Sequence, residues 1–219
     1  APDRFECHSR HQHVLDMSRD EVVDYLYGCM DKLLSESKVS YIKWDMNRYM
    51  TEPFGRELPC DRQGEFMHLY ILGVYKLYDR LTKKFPHVLF ESCASGGARF
   101  DPGMLYYAPQ TWTSDNSDAN ERTKIQYGTS YMYPIVSMGS HVSAVPNHQM
   151  SRTTKLSTRA SVAYFGTFGY ELDLNLLNAE EIEEVKKQVI FMKEHRELNQ
   201  LKSDFYRLIS PFEHNETAW

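Results

Sequence analysis

From Ser18 onward apolar residues return every three or four positions, at Val22, Val23, Leu26, Met30, Leu33 and Leu34. That spacing gathers them on one face of a helix, and Ser18 with Glu21 has the offset of a capping box that would begin it. The pattern then changes. Residues 39–45 form a short apolar and aromatic run ending in charge, which predicts a buried strand. A second helical stripe, Phe66, Leu69, Tyr70, Gly73, Val74, Leu77 and Leu81, precedes a second strand over 87–91. A third strand is predicted over 110–114 with a short helix over 121–131, and a fourth over 139–143 ahead of a helix over 151–164. The fifth, 167–172, leads through an Asn178 cap into a helix carrying Ile182, Val185, Val189 and Met192.

A leading helix followed by five strand–helix units predicts an α/β fold built on a parallel sheet. An open doubly wound sheet concentrates its ligand contacts at one switch point, whereas a barrel collects polar residues from the ends of many strands. Here Asp45, Glu91 to Cys93, Ser114 with Asp115, His141 and Asp173 all fall at or just past predicted strand ends. That distribution favours the barrel. A (β/α)8 TIM barrel has eight strands and typically about 250 residues. The expectation is therefore a partial barrel: residues 1–200 hold its last five strand–helix units and belong to a larger protein. The tail, 201–219, with Phe205, Tyr206, Leu208, Ile209 and Phe212, reads as the start of a C-terminal β-rich domain.

Composition narrows the partners. With 25 basic and 30 acidic residues and a formal charge of -5, the chain has no electrostatic footprint for nucleic acid or for an anionic membrane surface. No stretch approaches the roughly 20 apolar residues of a membrane span. Cys7, Cys29, Cys60 and Cys93 lie far apart without a Cys-x-x-Cys pair, so reduced thiols in a cytoplasmic setting are expected. His8, His11 and His13 lack a carboxylate or cysteine partner in register, and no metal site is assigned to them. The sequon Asn215-Glu216-Thr217 is short enough to arise by chance.

Two segments carry candidate chemistry. Lys43-Trp44-Asp45-Met46-Asn47-Arg48 closes the first strand with a carboxylate flanked by a cation, an arrangement suited to a nucleophile or a metal ligand. The alternative is that Asp45 caps the next turn and Lys43 is a surface charge. Trp112 to Asp118 supplies further carboxylates two strand–helix units on. In a barrel the ends of strands two apart face the same pocket, so Asp45 and Asp115 have the placement of the paired carboxylates that cleave glycosides. Asp118 reads instead as the cap of the helix that follows. Between them, Gly96 and Gly97 allow the backbone to approach a ligand closely, although the spacing matches neither the dinucleotide fingerprint nor the P-loop. Cys93, judged alone, is more often a packed residue than a ligand contact.

Taken together, YIKWDMNR, the segment from ESCASGG to the aspartate of RFD, and PQTWTSDNSDANERTKIQYGTSYMYP resemble the α-galactosidases of glycoside hydrolase family 36, and the likeness extends from HSRHQHVLDMSR to GYELDL. The resemblance implies a retaining hydrolase of terminal α-galactosyl residues, with raffinose- and melibiose-type substrates and a homo-oligomeric full-length protein. The aspartate of the family's KWD motif, here Asp45, would be the nucleophile, and the first aspartate of SDN, here Asp115, the acid/base, kept protonated by a poorly solvated pocket. Arg10, Lys43, Asn47, Cys93, Gly96 and Trp112 match positions that line the sugar site, and Lys43 would hold Asp45 ionised. Ser95 stands where many relatives have glycine. No cofactor is implied. A galactosyltransferase built on the same pair, and an inactive sugar-binding or structural fragment, are the competing readings.

Overall fold

The stripe from Val22 to Leu34 folds as helix α1 (Asp20–Glu36), with Val23 and Leu34 buried and Leu33 exposed at its margin. The expected capping box does not form. Asp16 lies closer: its Oδ1 accepts from the Ser18 amide at 3.0 Å and the Ser18 hydroxyl at 2.5 Å, while Glu21 pairs with Arg19. The helix therefore starts after an extended Arg19. The computed structural model describes residues 9–219, so Cys7 and His8 lie outside the described residues. The chain divides into two units, one formed by residues up to 94 with 101–109, the other by 95–100 with 110–219.

In the first unit α1 is followed by β1 (Tyr41–Asp45), α2 (Phe66–Lys84), β2 (Leu89–Cys93) and α3 (Pro102–Tyr107). The second stripe is the heart of this unit: Phe66, Tyr70, Val74, Leu77, Tyr78 and Leu81 on α2 are buried with Phe90 and Met104. β1 and β2 pair in parallel, with Ile42 beside Phe90, Lys43 beside Glu91 and Asp45 beside Cys93. Alternation along the pleat turns Trp44 onto the ring of Tyr78, with centroids 4.7 Å apart. Relative to expectation β1 begins two residues later and β2 runs on to Cys93. The short α3 was not anticipated; Asp101 caps it by accepting from the Met104 amide at 2.9 Å, and Pro102 opens its first turn.

Gly73 marks where α2 passes another backbone. A Cβ there would sit 1.7 Å from the Met17 carbonyl oxygen. Helix propensity favours alanine over glycine by about 1 kcal/mol, but overpacking against backbone costs about 1–3 kcal/mol or more. Gly73→Ala is therefore expected to lower the melting temperature of the full-length protein. A rise in a calorimetric scan would show that the two segments have room to separate.

The second unit contains β3 (Gln110–Thr111), α4 (Ala119–Thr129), β4 (Gly139–Ser143), α5 (Leu156–Ala163), β5 (Thr167–Glu171) and α6 (Ala179–Arg196). β4 and β5 are parallel, with His141 beside Gly169, and Thr111 makes a parallel bridge to Met138. Val142, Leu156, Ala160 and Ala163 form the core here, packed by Phe168, Leu172 and Val185. β3 is shorter than predicted, and α5 starts five residues later than predicted. The Asn147 side chain takes the amides of Gln149 and Met150, and the Asn147 amide bonds the Arg152 carbonyl, which closes a turn where a helix was expected. Asn178 and Glu181 cap α6 reciprocally. In the tail Ile209 and Ala218 form an antiparallel bridge, and Arg207 Nε donates to the Ser130 hydroxyl at 2.9 Å. Strands alternate with helices and pair in parallel in both units, the α/β arrangement expected from the pattern. Among the described residues no helix is long and apolar enough to cross a membrane.

Candidate active site

In the first unit the pleat of β1 turns Ile42 and Trp44 toward the helices and leaves Tyr41, Lys43 and Asp45 on the opposite face, where all three are exposed. Asn47 donates from Nδ2 to Asp45 Oδ2 at 2.6 Å, a contact made to the carboxylate of the strand's last residue. The strand's hydrogen bonding continues beyond Asp45, because the Met46 amide donates to the Cys93 carbonyl at 2.9 Å. Cys93 itself is buried, and Cys29, Cys60 and Cys93 form no disulfide. Arg10 lies in the short turn Ser9–His11 with a left-handed backbone, φ 56°, and is exposed, as are His11 and His13.

Lys43 has a carboxylate partner on the neighbouring strand. Its Nζ lies 3.8 Å from Oε1 of Glu91, the residue beside it in the ladder, and Glu91 is only 3% exposed. The Tyr41 hydroxyl donates to the other oxygen of the same carboxylate. Burial, reinforced by Glu91, pushes the Tyr41 phenol above its usual range, so the proton stays on tyrosine. Tyr41 and Lys43 thus both converge on Glu91, a polar row that leads along one strand face to Asp45.

In the second unit two loops lie backbone against backbone. Gly96 has φ +83°, and a Cβ on it would sit 2.7 Å from the Ser114 Cα. Both the left-handed conformation and the close approach require glycine. The Gly97 amide donates to the Thr113 carbonyl at 3.0 Å. Ser95 is also left-handed, φ 51°, a conformation that glycine would adopt without strain. The glycine pair therefore seats one loop on the other.

Trp112 is buried between two partners, stacked on His141 with centroids 4.6 Å apart and covered by the Arg122 guanidinium at 4.7 Å. His141 Nδ1 is 3.6 Å from Glu171 Oε2. Asp115 is exposed, so the dry pocket expected around it is not supplied by the residues described. The Asn116 amide bonds the Ser114 hydroxyl at 3.1 Å, a local contact that spans Asp115. Asp45 and Asp115 belong to different units.

Asp118 takes the structural role expected of it. It is 1% exposed, accepts from the amides of Asn120 and Glu121 at 3.0 and 3.1 Å, and pairs with Arg152. Losing a cap costs about 0.5–2 kcal/mol, and the partly exposed Arg152 adds less than a buried pair would. Asp118→Ala is expected to destabilise the full-length protein by about 2 kcal/mol, and Asp118→Asn, which still caps, by less. Equal denaturation midpoints for the alanine variant and wild type would remove the capping role.

Sequence reasoning overlooked Arg122. It sits in the polar run Asn120-Glu121-Arg122-Thr123-Lys124, which reads as a solvated helix face, yet it is 2% exposed. The available signal was its spacing of four from Gln126, which is also buried on α4.

The sequence model of the Melibiase family matches residues 1–202. The α-galactosidase AgaA of Geobacillus stearothermophilus is 56% identical over all 219 residues, which correspond to 30% of that protein. The crystal structure of this GH36 enzyme matches the fold with a TM-score of 0.96 at 55% identity, covering 100% of the present chain and 30% of its own. A variant of AgaA solved in complex with raffinose matches equally, with a TM-score of 0.96 at 54% identity over 99% of this chain and 30% of its own. The chain thus spans about 30% of the length of these relatives.

Proposed function

Because the chain belongs to the Melibiase family, we propose that it is the carboxylate-bearing part of a retaining α-galactosidase. The observation that carries this reading is the match of the whole chain to an α-galactosidase of known structure. In this reading the five strand–helix units are the last five of a (β/α)8 barrel, and residues 201–219 begin a C-terminal β domain. The substrates are α-galactosides of the raffinose and melibiose type, the full-length protein is a homo-oligomer of the cytoplasm, and no cofactor takes part.

The roles follow from two carboxylates used in two steps. Asp115 gives its proton to the departing glycosidic oxygen while an oxygen of Asp45 attacks the anomeric carbon. The C–O bond to the leaving group breaks, and a β-galactosyl ester forms on Asp45. Asp115, now ionised, takes a proton from water as the water attacks the same carbon from the face opposite Asp45. The ester bond breaks, and galactose departs with its original α configuration. The Asn47 hydrogen bond holds the attacking carboxylate in one orientation, which lowers the entropic part of the barrier. Lys43 is carried on the same strand face, braced by Glu91, where its ammonium has the chemistry to bind galactose hydroxyls. Arg10, Cys93, Gly96 and Trp112 complete the proposed sugar contacts.

The test is the configuration of the product at the moment it forms. Full-length protein incubated with melibiose and raffinose in an NMR tube is expected to release α-galactose first, followed by slow mutarotation. Initial release of the β anomer would replace the double displacement with a single one, and no release of galactose would sink the hydrolase reading.

A further inference from the structure

Arg122 is an arginine with almost no access to solvent, and the donors of its fork have separate tasks. Nη1 donates to the carbonyl of Ser114 at 3.3 Å, Nη2 to the carbonyl of Gly139 at 2.5 Å, and Nε to Gln126 Oε1 at 3.0 Å. Its plane covers the Trp112 ring. Gln126 is fixed in turn, since its amide nitrogen donates to the Val162 and Phe165 carbonyls at 3.1 and 2.9 Å, and its oxygen also accepts from the Ser140 hydroxyl at 3.0 Å. One guanidinium therefore joins the loop after β3, the start of β4 and the buried face of α4. Burial lowers its pKa to about 10, with Glu171 opposing the shift, so it remains a cation at neutral pH.

The segment it grips is the one that carries Asp115. Ser114 is the residue immediately before it, and the other end of the same loop is held at Ser117, whose carbonyl accepts from the Ser143 hydroxyl at 2.8 Å and whose hydroxyl accepts from Asn147 at 3.1 Å. Asp115 lies between these two anchors, exposed and with its backbone held on both sides. A buried cation bonded to carbonyl oxygens is costly to keep unless its geometry is used. A planar fork does something lysine cannot, because it fixes two carbonyls and an amide in one plane.

We propose that Arg122 is a positioning residue for the acid/base Asp115, setting the loop through the Ser114 carbonyl and the sugar-facing wall through Trp112. This rests on the assignment of Asp115 given above. Arg122 does not touch substrate. Its effect falls on the step that needs a proton delivered to a departing alkoxide, where a misplacement of about 1 Å costs on the order of 10²-fold.

The test compares Arg122→Lys and Arg122→Met with Asp115→Ala in the full-length protein, on raffinose and on an aryl α-galactoside whose phenol is acidic. Folding is checked by circular dichroism, and the lysine variant carries the test where the methionine variant does not fold. The expected result for the lysine variant is a fall in kcat on raffinose of about 10- to 100-fold, with a several-fold smaller fall on the aryl substrate and little change in KM. A defect confined to folding would scale both substrates alike. Wild-type turnover of raffinose in the folded lysine variant, or equal losses on both substrates while Asp115→Ala discriminates between them, overturns the positioning role and leaves the acid/base assignment standing. If Asp115→Ala itself fails to discriminate, both fall.

Discussion

Asp45→Asn in the full-length protein is expected to reduce kcat by about 10⁴- to 10⁶-fold, the range seen when a covalent nucleophile or its activating partner is removed. An amide oxygen is a far poorer nucleophile than a carboxylate, and no other carboxylate on β1 lies at the strand end to replace it. The substitution is nearly isosteric, so the hydrogen bond from Asn47 now meets either an amide oxygen or an amide nitrogen, and the loss belongs to chemistry rather than folding. Added azide is not expected to restore turnover, because asparagine fills the space. Asp45→Gly opens that space, and with azide and an aryl α-galactoside it is expected to form a β-galactosyl azide, the anion attacking from the side that Asp45 occupied. Turnover of Asp45→Asn within about tenfold of wild type, far inside that range, or an α-galactosyl azide from Asp45→Gly, would assign the nucleophile elsewhere.

The parts of this site that were legible in the sequence are those in which chemistry follows directly from a change of pattern along the chain. Asp45 stood out because an apolar run ends on it, and Asp118 because it precedes a helix at the capping position. α3 carried a signature of the same kind, Asp101 before Pro102, but its six residues contain too few turns for periodicity to register. What the pattern does not carry is register across elements. The pairing of Lys43 with Glu91 depends on a parallel ladder that sets these residues side by side, and the sequence places them far apart. Arg122 was hidden for a related reason, since the carbonyls that make its burial tolerable come from Ser114 and Gly139 on separate elements. The late start of α5 has a third cause, because the Asn147 side chain takes the amides of Gln149 and Met150 and holds as a turn the segment where the helix was expected to begin.

Asp115→Ala is expected to separate substrates by their leaving groups. An alkoxide such as that released from raffinose departs only with a proton, whereas an acidic phenolate leaves with little assistance, and general acid catalysis typically contributes about 10²- to 10⁴-fold. The variant should therefore lose that factor on raffinose and far less in the first step on an aryl galactoside. With the aryl substrate the second step then limits, because water reaches the β-galactosyl ester on Asp45 without a base, and the ester accumulates. Azide needs no base. It is expected to accelerate turnover of the aryl substrate and to yield an α-galactosyl azide, since attack comes from the face opposite Asp45, the reverse of the product expected from Asp45→Gly. The exposure of Asp115 and the backbone anchors on either side of it leave room for the anion once the carboxylate is gone. Asp118→Ala, whose side chain is committed to α4 and Arg152, is expected to lower stability without discriminating between leaving groups. Equal losses on the two substrates in Asp115→Ala, or leaving-group dependence appearing in Asp118→Ala instead, would move the acid/base role away from Asp115.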